Sequence, residues 1–174
     1  MSFWQLLVFV EGDDDERFFD TIFRDRFAPK YDLVRVWKYA KEPTKRVASL
    51  LRSAQAMAAD HLYFADIDDA PCVSAKKESV QKKLPRLDPG RIAVVVAEIE
   101  SWYLAGIDQA HSKRLGLYPC RTTDTTTKEQ FDLMIPSRFR KRTDFMVEIL
   151  RFFSTETAKQ KNRSFRHFLE RHNG

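Results

Sequence analysis

The acidic side chains that could do chemistry fall in three groups, each directly behind an apolar run. Glu11 follows Gln5–Val10 (QLLVFV), with Asp13–Glu16 close behind it. Asp66, Asp68 and Asp69 follow His61–Ala65 (HLYFA), and Glu98 and Glu100 follow Arg91–Ala97 (RIAVVVA). Carboxylates crowded together repel and raise one another's pKa unless a cation sits between them. All-oxygen donor sets of this kind suit Mg²⁺ or Mn²⁺, which use few protein carboxylates and keep waters for a substrate phosphate. The chemistry implied is metal-assisted work on phosphate esters.

Each group also has a plainer reading. Asp13 and Glu16 fit a capping box at a helix start. Asp15 lies one helical turn after Glu11 and could face the same crevice. Asp66 and Asp68 could form a surface turn, but their position behind an apolar strand favours a ligand role. Glu98 and Glu100 share one face if the strand continues through them. If a helix has already begun they diverge by roughly 200°, and only one can serve.

The elements that must position these groups alternate. Strands are expected at Gln5–Val10, Leu33–Trp37, His61–Ala65 and Arg91–Ala97. The first helix carries Phe18, Phe19, Ile22 and Phe23 at helical spacing, others are expected at Thr44–Ala59 and Val73–Leu84, and Ile99–Ala105 reads as a short helix or turn. Later helices are expected at Lys128–Met134, Phe139–Phe153 and around Ser164–Arg171, with a polar loop at Thr122–Thr127. This pattern predicts an α/β, three-layer Rossmann-like fold: a four-stranded, mainly parallel sheet with a helical C-terminal extension. Residues 1–108 would form the core, and residues 109–174 a basic extension packed on it within one domain. In open parallel sheets, sites form outside the carboxyl ends of the strands near the topological switch point. If the first and third strands are neighbours, Glu11 meets Asp66 and Asp68 there.

Composition narrows the partners. With 43% hydrophobic residues and 14 Phe the chain can build a core. No apolar run is long enough to cross a membrane, and the opening lacks a secretory leader. Cys72 and Cys120 form no CxxC, so a reducing cytoplasm is the expected compartment. Residues 1–100 hold 16 Lys/Arg against 17 Asp/Glu, whereas residues 101–174 hold 14 against 8. A basic tail suits an anionic partner such as DNA or RNA. Its densest stretch is Arg138–Arg142 (RFRKR), where Arg138, Arg140, Lys141 and Arg142 could follow a phosphate backbone or simply be solvated. Trp102, Tyr103 and Leu104 could stack on bases or pack as core.

The segment LLVFVEGDDDERFF resembles the first motif of TOPRIM domains, a hydrophobic strand closed by Glu-Gly with an acidic residue four positions later. YFADIDDA resembles the second, a strand ending in Asp-x-Asp, and VVVAEIESWYLAGID resembles the Glu-x-Glu-Trp block of small stand-alone families related to the OLD nucleases. The closing SFRHFLE is similar to the ending of those families. The resemblance runs over roughly residues 5–107. It implies metal binding by Glu11, Asp66 and Asp68, with Asp15, Glu98 and Glu100 helping to hold a second ion. Two ions about 4 Å apart would support phosphodiester hydrolysis. It also implies a catalytic lysine from beyond the sheet, for which Lys159 and Lys161 are the candidates. Asp69-Ala70-Pro71 replaces the Gly-basic continuation of the ribosomal-RNA maturases, which counts against that branch.

No phosphate-cradling glycine loop, GxSxG elbow or HxxxH pair occurs. The function that the resemblance implies is a Mg²⁺- or Mn²⁺-dependent nuclease. Two other readings stand beside it. One is a module activated by an ATPase partner in a defence or toxin–antitoxin system, and the other is a phosphotransferase for a small phosphorylated molecule.

Overall fold

The computed structural model describes residues 3–172. Contacts divide the chain into two compact units, with the division between Val94 and Val95 rather than after residue 108.

The first unit carries the sheet. Strands β1 (Gln5–Val10), β2 (Leu33–Lys38), β3 (Asp60–Asp66) and β4 (Ile92–Val95) lie in the order β2-β1-β3-β4, all parallel, in a Rossmann-like three-layer arrangement. The register sets Leu6 beside Val34 and Asp60, and Phe9 beside Trp37 and Tyr63. Successive side chains of a strand point to opposite faces, so each strand feeds two layers. On one face Phe9, Tyr63, Ala65, Ile92 and Val94 join Val47 and Leu51 of α3 (Thr44–Ala56) and Val80 of α4 (Val73–Lys83). On the alternate row are Leu6, Val8, Val10, Leu62 and Phe64, all buried.

That second row is covered by a helix that changes pitch twice. α1 (Asp13–Phe18) passes into a π-helical turn (Phe19–Phe23) and then α2 (Arg24–Phe27). With four acids in its first turn and only six residues, α1 has no stability of its own. Burial holds it: Phe18, Phe19 and Phe23 are at most 2% exposed, and each such ring contributes about 1.5–3 kcal/mol. Phe19 meets Phe64 edge-on at 6.0 Å. The cap differs from the expected box. Gly12 is the N-cap, and the Asp15 carboxylate accepts its backbone N–H at 3.1 Å. Glycine has no side chain to return the bond, so the box is half-made. Asp13 and Glu16 instead share Lys38, at 2.9 and 2.7 Å.

The second unit is helical: α5 (Ile99–Ala105), α6 (Gln109–Leu115), α7 (Lys128–Met134), α8 (Arg142–Arg151), α9 (Thr155–Lys161) and α10 (Arg163–His172). Trp102 and Tyr103 are fully buried and Leu104 is nearly so, which makes them core rather than a base-stacking platform. Trp102 packs on Phe165 and Phe168 at 5.3 and 5.7 Å, so α5 groups with the later helices. Its indole N–H donates to Ser164 Oγ at 2.8 Å, and that hydroxyl donates to Asn162 Oδ1 at 2.8 Å. Asn162, 1% exposed, donates to Thr123 Oγ1 and Ser101 Oγ and accepts from the Phe165 N–H. A buried amide with this many partners fixes one packing of the helices around it.

Two helices here were not expected. α6 and α9 have few apolar residues, but both carry caps. The Asp108 carboxylate accepts the His111 N–H, Ser154 Oγ accepts the Thr157 N–H, and Gly116 closes α6 at φ +80°.

Candidate functional site

The chain runs from β1 outward to β2, then returns past β1 to β3, so the strand order reverses between β1 and β3. Ligand crevices in open parallel sheets form at that reversal, beyond the carboxyl ends of the strands. Four of the acidic candidates emerge there: Glu11 just after β1, Asp15 in the first turn of α1, Asp66 at the last position of β3 and Asp68 in the following turn.

They do not converge as one cluster. Glu11 lies on the side of α3 and α4, where it lines a pocket of about 330 Å³ with Tyr39, Tyr63, Ala65, Asp68 and Lys76. Asp66 belongs to the alternate row of β3, with Leu62 and Phe64, on the side of α1. Asp15 is buried at the turn from β1 into α1. Among the described residues no three His, Cys, Asp or Glu side chains stand together closely enough to hold a metal ion. Glu11 and Asp68 thus line one pocket, as expected, whereas Asp66 belongs to the other row of β3, so the expected three-carboxylate crevice is corrected to a pair with Asp66 apart.

Asp68 has φ +47°, a left-handed conformation that Asp tolerates better than most residues. Its carboxylate is bound by the Lys76 ammonium, whose own side chain is only 15% exposed. Behind the pocket Tyr39 and Tyr63 stack at 4.6 Å, and Tyr39 Oη donates to the Phe64 carbonyl at 2.8 Å. Burial pushes both phenols up, Tyr63 to about 12, and the Glu11 charge adds to the effect on each; Asp15 adds to it on Tyr39. Both therefore stay protonated, and Tyr39 serves as a hydrogen-bond donor.

The other candidates lie in the second unit. β4 stops at Val95, and Ala97 takes φ +66°, so the strand expected to reach Ala97 ends early. Glu98 becomes the N-cap residue of α5 and Glu100 enters the helix; the two carboxylates diverge. Glu98 accepts the Lys128 N–H at the start of α7. Glu100, 4% exposed, is bound by the Arg142 guanidinium, which also pairs with Asp132 at 2.7 Å and lies 5.3 Å from the Phe131 ring centre. One expected metal ligand and one expected phosphate contact are thus each other's partners. Arg138 donates to the Arg114 carbonyl and covers Phe139, whereas Arg140 and Lys141 are exposed. Lys159 pairs with Glu156 within α9, and Lys161 donates to the Ile107 carbonyl, so both lysines are engaged inside their own unit.

No protein-family profile, curated protein or solved structure matches this chain. The site stands on its geometry. Sequence reasoning missed Lys76, Tyr39 and Tyr63. For Lys76 the only available signal was a cation in the first turn after the Asp-x-Asp segment.

One buried group of β3 carries a pH-dependent share of the stability. His61 on β3 is buried, and its Nε2 has no hydrogen-bond partner among the described residues. Burial first, and Arg91 next, hold its pKa below the ordinary value, against smaller opposing effects of Asp88 and Asp60. The folded protein keeps this imidazole neutral, while the unfolded chain takes up a proton near pH 6.5. The His61 contribution to stability is thus complete above about pH 6.5 and is lost as pH falls toward the folded value. Urea unfolding between pH 8 and 5 should show that loss in the native chain and a flatter profile in His61→Leu. Equal slopes in the two proteins would refute it.

Proposed function

We propose that the chain is a TOPRIM-type phosphodiesterase that uses Mg²⁺ or Mn²⁺ to hydrolyse nucleic acid. The observation that carries this reading is the emergence of Glu11, Asp15, Asp66 and Asp68 at the β1/β3 strand reversal. The donors there are carboxylate oxygens, which fits a hard divalent cation. Because no three of them gather, an ion on either side would be held by one or two carboxylates. Water and a substrate phosphate would fill the rest of its coordination. Such an ion supplies charge for the phosphoryl oxygens and acidifies a water.

The chain's own residues do the remaining work. Glu11 offers a carboxylate to the ion or to the proton of an attacking water. Asp15 fixes the Gly12 N–H and with it the turn out of β1. Tyr39 ties the chain following β2 to the end of β3 through the Phe64 carbonyl. Arg140 and Lys141 are the exposed cations offered to a phosphate backbone.

Labelled single- and double-stranded DNA and RNA, incubated with Mg²⁺, Mn²⁺ or chelator, test the reading. Cleavage that needs metal supports it. No cleavage under any condition, with no metal-induced rise in melting temperature, refutes it. A second reading, a module completed by an ATPase partner, is favoured by the separation of the carboxylates onto two sides of the edge. It predicts a metal-induced rise in melting temperature without cleavage by the isolated chain.

A further inference from the structure

Lys76 is an unusual neighbour for a metal-binding carboxylate. Its stem is largely covered, its ammonium is fixed on Asp68, and both residues line the same pocket as Glu11. Helix α4 turns Lys76, Ser79, Val80 and Lys83 toward that pocket, at the i, i+3, i+4 and i+7 spacing of one helical face. Val80 is core, whereas Lys76, Ser79 and Lys83 give the wall two ammonium groups and a hydroxyl. A divalent ion on Asp68 would meet the Lys76 charge at close range, and like charges a few ångströms apart cannot both be retained cheaply.

We propose that Lys76 is the resident counter-cation of Asp68, displaced when a divalent ion binds, and that the released ammonium then holds a substrate phosphate beside Ser79 and Lys83. This rests on the divalent-metal reading above and adds to it a positioning residue and a phosphate subsite. Lysine suits the exchange because its flexible four-carbon stem lets one ammonium serve two anions in turn. In the absence of metal the same contact keeps Asp68 neutralised.

The test is calorimetric titration of the full chain with Mn²⁺, and of the Mn²⁺-saturated protein with inorganic phosphate. Removing the competing charge in Lys76→Met should tighten Mn²⁺ binding roughly tenfold, the size expected for one unit charge near a divalent ion. Phosphate should bind the loaded native chain and Lys76→Arg but not Lys76→Met. In an Asp68→Asn background, Lys76→Met should leave Mn²⁺ affinity unchanged, because the competition has no object. Equal or weaker Mn²⁺ binding by Lys76→Met, or phosphate bound equally well by it, overturns the inference while leaving the metal reading intact. If neither the native chain nor Lys76→Met takes up Mn²⁺, both fall together.

Discussion

Replacing Arg142 with Met should lower the free energy of unfolding by about 3–5 kcal/mol, the range for breaking a buried ion pair from one side. Glu100 is 4% exposed, and the Arg142 guanidinium bound to it also reaches Asp132 across α7. Without Arg142 the Glu100 charge remains in a low-dielectric setting with its main counter-ion gone. The exposed Arg151–Glu148 pair at 2.9 Å on the same helix α8 offers a contrast. Its loss should cost no more than about 1 kcal/mol, because water replaces the partner. Removing both buried charges, as Glu100→Met with Arg142→Met, should recover much of the stability, since an apolar pair of similar volume avoids the desolvation cost. Urea unfolding of the three variants measures this. An Arg142→Met protein within 1 kcal/mol of the native chain would mean that water or another cation reaches Glu100.

If the chain is the metal-dependent phosphodiesterase proposed above, Asp66→Ala and Glu11→Ala should each reduce cleavage by about 100-fold or more, the usual consequence of removing one electrostatic stabiliser from a reacting centre. A water can occupy the space but cannot supply the negative charge. In chelator Glu11→Ala should melt no lower than the native chain, because it removes a charge that shares its pocket with Asp68. Mn²⁺ should raise the melting temperature of both variants less than it raises that of the native chain. Arg140→Ala or Lys141→Ala should act differently. Each should weaken nucleic-acid binding and reduce the slope of log affinity against log salt by about 1, leaving the rate at saturation largely intact. A fully active Asp66→Ala would remove the strand edge from the mechanism.

Periodicity carried much of the fold. Gln5–Val10 is largely apolar and buried, so β1 is found to the residue, as is α7, and the stretch read as a short helix or turn at Ile99–Ala105 is the helix α5. What periodicity could not show was backbone handedness. Ala97 at φ +66° ends β4 and sends Glu98 and Glu100 apart, and nothing in an alanine announces a left-handed turn. Nor could it show which long side chains meet. Glu100 and Arg142 stand 42 positions apart, and each looked functional because its partner was out of view. Alternation along β3 puts Asp66 on the row of Leu62 and Phe64, opposite the row of Tyr63 and Ala65 that lines the Glu11 pocket. Asp68 reaches that pocket from the left-handed turn beyond the strand, which a motif read as a block of letters hides.

The strand order has a consequence for how this chain behaves in a crowd. β2 is an outer strand, and an open strand margin invites another chain to continue the sheet, the first step toward stacked fibres. Here the margin is guarded. The Arg24 guanidinium donates to the Val34 carbonyl at 2.8 Å, occupying a site that a foreign amide would need. Arg35 is exposed on the same strand, so a second copy approaching in register would meet its own charge there. The margin is therefore guarded by Arg24 and Arg35, and a lesion at Arg24 would open the Val34 carbonyl to templated addition.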